Sequence, residues 1–106
     1  MATTVYNANR EWAQAENTTA SGGKITTTVA SEPGNQHIVR FIRAKSDLPT
    51  STVTVKTAST VLATFDVGAA EKVLSVYLPA NRSDAVSVEL TVTTAGALSV
   101  SGETKV

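Results

Sequence analysis

Apolar and polar residues alternate along most of this chain, and the alternation predicts β-strands. The clearest run is 85–94, in which the even positions up to Val92 are apolar and the odd positions are polar or small. Successive side chains of a strand point to opposite faces, so this spacing builds one buried and one exposed face. The same period predicts short strands over 24–30, 36–45, 52–58, 60–66, 72–78, 85–94 and 97–101.

Turn residues separate these strands. Pro33 and Gly34 predict a tight turn, and the short gap between 52–58 and 60–66 predicts a hairpin. We also expect a turn at Ala95-Gly96, with Gly96 in the left-handed conformation and a bulge, joining the last two strands. Without a helical crossover, parallel pairing is excluded. The fold predicted is all-β, an antiparallel β-sandwich or jelly roll of about seven to eight short strands with an N-terminal arm or short helix.

The first 23 residues lack the alternation. Alanine and glutamate between Tyr6 and Asn17 favour a short helix, and Gly22-Gly23 indicates a linker. We therefore divide the chain into an arm or short helix with its linker, residues 1–23, and a β-sandwich domain, residues 24–106.

Composition narrows the function. The 106 residues suit one small domain, and the formal net charge of zero argues against nucleic acid as a partner. Neither a polybasic patch nor an apolar run of spanning length is present, so no membrane partner is expected. The chain has no cysteine, which excludes disulfides and thiolate metal sites. No secretory leader is recognisable, so we expect cytosolic synthesis.

No cluster of reactive residues points to an enzyme. His37 is the only histidine, and we expect it at the surface or an interface because no serine or carboxylate signature accompanies it. The carboxylates show no Asp-x-Asp spacing, and the glycines form no phosphate-binding motif. We predict no catalytic residue, no metal and no cofactor.

Two segments depart from the regular pattern and are candidates for a protein interface. Segment 36–45 has apolar residues and an arginine on each face, which fits either a central strand with arginine stems over the core or a face against another subunit. Trp12 either packs on the end of its own sandwich or anchors on a neighbouring molecule. Tyr77 alternates with buried positions and points outward. The candidate interface residues are Tyr6, Arg10, Trp12, Arg40, Phe41, Arg43 and Tyr77.

The chain resembles the small β-sandwich decoration (cement) proteins of tailed bacteriophage capsids. The resemblance lies in its size, in the lack of cysteine, in a polar N-terminal segment, and in Thr/Val/Ser-rich strands such as 52–55 and 86–92. It implies a non-enzymatic virion protein that binds the major capsid protein on the outer surface of an assembled head, as a homo-oligomer with a trimer favoured. No residue role is carried over, because no motif matches position by position.

Two other functions stay open at this point. One is a carbohydrate-binding or adhesive module of a phage fibre or cell surface, for which Tyr77 is the best exposed aromatic candidate. The other is a phage tail or head-tail connector component, which shares the β-rich, cysteine-free character.

Overall fold

A computed structural model gives the structure of residues 10–16, 22–58, 60–68 and 70–106. Eight strands form two four-stranded antiparallel sheets, and the described residues contain no helix. The predicted all-β sandwich is therefore confirmed. The strands are β1 Arg10–Glu16, β2 Lys24–Val29, β3 Gln36–Ser46, β4 Thr52–Lys56, β5 Val61–Asp66, β6 Lys72–Pro79, β7 Val86–Thr91 and β8 Gly96–Lys105.

The strand order is that of a jelly roll. Sheet A has the order β1-β8-β3-β6, and sheet B has the order β2-β7-β4-β5. The first strand pairs with the eighth, the second with the seventh, the third with the sixth and the fourth with the fifth. The chain thus behaves as one long hairpin folded over into two sheets, which is the arrangement that defines the fold.

The N-terminal segment corrects the predicted short helix. Arg10–Glu16 forms strand β1, and every residue of it pairs with β8. Trp12 packs against the core from this strand. Tertiary packing outweighs the helix propensity of alanine and glutamate here, because so short a helix is marginal without burial. The division of the chain at residue 23 stays a prediction, although β1 lies in the same sheet as three later strands.

The connections bear out two of the three predicted turns. Asn35 donates its N–H to the Glu32 carbonyl at 3.0 Å, and Gly34 has a φ of 82°. The β4–β5 hairpin also forms as expected. The predicted hairpin at Ala95-Gly96 is wrong, since β7 and β8 lie in different sheets and Gly96 does not adopt a positive φ. Alternation reveals a strand but not the sheet to which it belongs.

The core fills the space between the two sheets. Strand β7 shows the principle, because Val86, Val88 and Leu90 are buried while the residues between them are half-buried on the outer side. The central members of the core come from both sheets: Val39, Ile42, Val53, Val55, Leu90, Leu98 and Val100. Leu74, Val76 and Leu78 pack on it as the alternation of β6 predicts. Among the strands and loops seen here, no helix is long and apolar enough to cross a membrane.

Candidate functional site

A β-bulge in β3 shapes the outer face of sheet A. The register of β3 shifts between Val39 and Phe41 against both β6 and β8. Val39 and Ile42 are both buried, while Arg40 and Phe41 are both exposed. A bulge adds a residue to one strand and re-aims the side chains that follow it. Arg40 and Arg43 therefore share the outer face, which corrects the expectation that each face carries one arginine.

The bulge assembles an aromatic and arginine ridge along β3 and β6. Phe41 is 44% exposed, Val73 46% and Tyr77 58%. The Arg40 guanidinium lies 5.3 Å from the centre of the Tyr77 ring, which is cation–π geometry. Arg40 also donates to the Glu103 carboxylate at 3.2 Å. These contacts hold Arg40 and Tyr77 side by side at the surface.

Beside the ridge runs a groove whose floor consists of small residues. Two open hollows of about 550 Å³ and 320 Å³ adjoin along β1 and β8, and both are lined by Ala13, Phe41 and Ser101. Arg40 and Glu103 flank the first hollow, and Arg43 flanks the second. We call this the sheet A groove. Its floor is low because the residues on β1 and β8 are alanine and serine, whereas the β3 side chains are large.

Under one end of the groove lies a buried polar cluster around His37. The His37 side chain is fully buried, which corrects the expectation of a surface histidine. Its Nε2 lies 2.8 Å from the Ala30 carbonyl and its Nδ1 lies 2.8 Å from the Thr104 hydroxyl. Since a carbonyl only accepts, Nε2 carries the proton, and in the neutral ring Nδ1 accepts from Thr104. Both ring nitrogens are thereby satisfied, so the side chain is structural.

Trp12 closes this cluster from the edge strand. Its ring meets His37 edge to face at a centroid distance of 6.4 Å. Gly102 lies directly opposite Trp12 on β8, and a side chain there would collide with the Trp12 ring and the Ile38 carbonyl. Among the described residues, none accepts a hydrogen bond from the buried Trp12 indole N–H. Trp12 therefore packs on its own sandwich, one of the two positions that the sequence left open.

Arg10 ties the start of β1 to the turn before β3. Its guanidinium donates to the Glu32 carboxylate, and this bond lowers the pKa of Glu32 despite partial desolvation, which raises it. His37 lies 3.8 Å from the same carboxylate. The cluster thus joins β1, β3, β8 and the turn at Gly34 into one packed corner.

The outer face of sheet B has a different chemistry. Glu89 lies at its centre, 3.2 Å from the Lys24 ammonium and in a still closer ion pair with Lys56. The hydrogen bond from Lys56 lowers the pKa of Glu89, against a smaller rise from desolvation. On the neighbouring strands Glu89 is flanked by Thr26 and Thr54. Glu89 is thus paired with lysines of its own chain.

Asp47 fastens the two loops that cross between the sheets at the other end. Its carboxylate accepts hydrogen bonds from the backbone N–H groups of Thr93, Thr94 and Ala95 and from the Thr94 hydroxyl. Desolvation alone would raise the pKa of Asp47, but these hydrogen bonds outweigh it and lower the pKa to about 2. The carboxylate is thus a loop anchor.

The predicted interface residues divide between the surface and the core. The outer face of sheet A holds Arg40, Phe41, Arg43 and Tyr77. Trp12 faces the core and Arg10 binds Glu32, while Tyr6 lies outside the described residues. The sequence reasoning missed the alanine and serine floor of the groove, and the only signal for it was the run of small residues at alternate positions in 11–15 and 97–101. Within the described part of the chain, no three His, Cys, Asp or Glu side chains are placed to hold a metal ion.

Comparison with known proteins gives similarity in structure and none in sequence. No protein-family model and no curated protein matches the chain. The fold is similar to that of a protein of Bacillus endospore appendages, a family of disulfide-linked pili, with a TM-score of 0.54 and 9% identity over 98% of this chain and 92% of that chain.

Two further solved structures align less well. The Drosophila NLP core, described with pentamer formation and histone binding, gives a TM-score of 0.47 at 16% identity, covering 87% of this chain and 96% of its own. FlhE gives 0.45 at 7% identity, covering 93% and 99%. At these identities the likeness concerns the fold alone, which in the described residues is an antiparallel β-sandwich of eight strands.

Proposed function

We propose that this protein is a non-enzymatic structural protein of a virion, a decoration protein that binds the outer surface of an assembled phage head. The observation that carries the proposal is the outer face of sheet A. There Phe41, Val73 and Tyr77 expose apolar area beside Arg40 and Arg43. Aromatic residues and arginine are the types enriched at the centre of protein interfaces.

The asymmetry between the two sheets supports one binding face. Glu89 on sheet B is neutralised by two lysines of its own chain. Sheet A instead presents a ridge with an adjoining groove, which can receive a convex segment of a partner. The Arg40–Tyr77 contact keeps both side chains in place before binding, which lowers the entropy lost on association. The partner proposed is the major capsid protein.

Stabilisation would follow from binding alone. A ligand that prefers the assembled shell over its free subunits shifts the equilibrium toward the shell. Many copies, each in contact with capsid subunits, would add up over a head. This mechanism needs a rigid domain with a complementary face, and it needs no catalytic group. The trimeric state that the resemblance to decoration proteins implies stays a prediction.

Co-sedimentation with undecorated heads tests the proposal. The heads would be assembled from the major shell protein encoded by the same genome, and the protein should pellet with them in a saturable manner. Phe41→Ala combined with Tyr77→Ala should weaken binding about 30-fold, corresponding to about 2 kcal/mol for the loss of interface anchors. Val61→Ala is the matched control, because Val61 is 60% exposed on sheet B. Absence of wild-type binding to heads contradicts the proposal.

A carbohydrate-binding module is the second candidate, and the exposure of Tyr77 is the observation that favours it. A sugar ring can stack on an exposed aromatic face, and Arg40 beside it offers hydrogen-bond donors. A glycan array with reproducible hits that Tyr77→Ala abolishes and Val61→Ala preserves would support this function. Binding to heads without any glycan hit would exclude it in favour of decoration.

A further inference from the structure

Strand β1 is an open edge of sheet A. It pairs with β8 on one side, and none of the strands that the structure describes pairs with it on the other. Its sequence, REWAQAE, contains neither proline nor glycine. An edge strand can accept a further strand through the backbone N–H and C=O groups on its outer side.

The side chains of β1 are complementary to a second copy of β1. When two such edges pair antiparallel with both cores on the same side, inward residues must lie opposite inward residues. The inward residues are those in phase with Trp12, which packs on the core. An axis through Ala13 satisfies this condition, pairs the whole of Arg10–Glu16, and sets Arg10 opposite Glu16 of the second copy.

Neighbouring registers that keep the same faces together fit less well. An axis at Trp12 pairs only residues 10–14 and sets Arg10 opposite Gln14. An axis at Gln14 pairs only residues 12–16 of the strand and sets no residue of β1 opposite Arg10. Within the described strand, the axis at Ala13 is therefore the register with the most backbone pairs and with opposite charges at both ends. Opposite charges across strands stabilise pairing, whereas like charges directly opposite destabilise it.

We propose that two copies of this chain pair through their β1 strands, antiparallel and in register about Ala13, so that their A sheets form one continuous sheet. Backbone hydrogen bonds supply the association, and the pairs between Arg10 and Glu16 select the register. Arg10 also binds Glu32 of its own chain, and a guanidinium has donors enough for two carboxylates. The inference does not depend on the proposed function.

The pairing would also join the two sheet A grooves. Ala13 and Ala15 lie on the exposed outer face of β1 and line the groove. In the paired state Ala13 meets its own copy at the axis, and Ala15 lies opposite Glu11 of the second copy. A partner that binds the groove would then meet two grooves related by the two-fold axis.

Single cysteines test the register directly, because the chain has no cysteine of its own. Directly paired residues have Cα atoms about 4.5–5.5 Å apart, which a disulfide can bridge. Under mild oxidation Ala13→Cys should therefore give a covalent dimer on a non-reducing gel. Ala15→Cys is the matched control, because the two copies of residue 15 are offset by about 13 Å along the strand. Failure of Ala13→Cys to cross-link, or equal cross-linking by both variants, would overturn the proposal.

Charge exchange provides the second test. Glu16→Arg and Arg10→Glu each place like charges opposite one another and should weaken self-association about tenfold, since two symmetric pairs change sign. Mixed together, the two variants restore opposite charges at both ends and should form a heterodimer by native mass spectrometry. Glu71→Arg makes the same charge change away from β1 and should leave the dimer intact. Wild-type protein that is monomeric, or trimeric and insensitive to Glu16→Arg, would contradict the inference.

Discussion

The outer faces of the two sheets show how one alternating pattern can produce two different surfaces. On sheet B, the outer residues are mainly threonine, and the central Glu89 is enclosed by Lys24 and Lys56. On sheet A, the bulge at Arg40 turns Phe41 outward, and Ala13 leaves a groove beside it. Sheet B thus exposes mainly threonine around a paired carboxylate, with Val61 as an exposed apolar residue on β5, while sheet A groups the exposed side chains of Phe41, Val73 and Tyr77 on β3 and β6.

In a protein with few reactive residues, a sheet face that departs from regular alternation is a candidate for binding. Regular alternation produces an outer face of polar side chains, which form hydrogen bonds with water or ion pairs with one another. The alternation breaks in β3, where Arg40 and Phe41 are both exposed after three buried residues. This break lies on the face that exposes apolar area to a partner. The break itself lies within β3, but its effect on the shape of the surface depends on the strands on either side of β3.

The largest effect is expected from a charge placed on the inner side of sheet B. Val88 is 2% exposed, so Val88→Asp buries an unpaired carboxylate and should cost about 4 kcal/mol or abolish folding. Val61→Asp introduces the same group at a 60% exposed site and should change the free energy of unfolding by less than about 0.5 kcal/mol. Urea denaturation compares the two. Equal midpoints would mean that the inner and outer faces of sheet B are wrongly assigned.

The next effect concerns the packed corner beneath the sheet A groove. Gly102→Ala sets a methyl group against the Ile38 carbonyl and the Trp12 ring, and should cost about 3 kcal/mol by overpacking. Ser101→Ala, one residue earlier on the groove floor, should be nearly neutral. Thermal unfolding followed by tryptophan fluorescence reports on both, because Trp12 is the only tryptophan. A neutral Gly102→Ala would show that β8 is not packed this closely against Ile38 of β3 and Trp12 of β1.

A smaller effect is expected from removing the charge of Glu89 on sheet B, and a still smaller one from removing that of Glu71 beside sheet A. Glu89→Gln should cost about 1 kcal/mol, since the two lysines that flank it are partly exposed and screened by solvent. Because the folded-state pKa of Glu89 is lowered, its contribution is present above the unfolded pKa of about 4.3 and is lost as pH falls through the folded value. Glu71→Gln, on a 3.9 Å pair at a 53% exposed side chain, should change stability less. Urea titrations at pH 7 and pH 3 measure the stability of both variants. Equal losses of stability would show that the ion pairs of Glu89 with Lys24 and Lys56 stabilise the fold no more than the exposed pair of Glu71.

The smallest effect is expected from the loop anchor that joins the two sheets. Asp47→Asn turns one acceptor oxygen into a donor facing backbone N–H groups, so stability at pH 7 should fall modestly. With a folded pKa of about 2, the stabilisation by Asp47 is complete above its unfolded pKa of about 3.9 and disappears as pH falls through about 2. The variant should therefore lose less stability than the wild type between pH 4 and pH 2. Parallel pH profiles would exclude the anchor role.

Much of the fold could be predicted from the alternation alone. The strands from Lys24 onward match β2 to β8, and the β4–β5 hairpin forms where the short gap in the sequence places it. Strand β1 was missed because alanine and glutamate favour a helix locally, and only the burial of Trp12 against the sheet reverses that preference. The order of strands in each sheet could not be predicted from local sequence, because a hairpin and a connection between the two sheets use the same turn residues.

The candidate face was predicted in part. Arg40, Phe41, Arg43 and Tyr77 were identified as candidates, and they share one surface. That both arginines lie on the same side follows from the bulge, which changes the phase of β3 and has no signature of its own in the residues. His37 was expected at the surface or at an interface because no serine or carboxylate signature accompanies it, yet Thr104 and Ala30 supply the hydrogen-bond partners that make its burial tolerable.

The pairing of the first strand with the last sets the order in which this chain can fold. Only β4 and β5 are both neighbours in sequence and partners in a sheet, so the remaining pairs close progressively longer loops. Long-range pairing of this kind is slow. During synthesis, β1 leaves the ribosome well before β8, so sheet A stays incomplete until β8 has emerged. For that whole interval β1 lacks the strand with which it pairs in the folded domain.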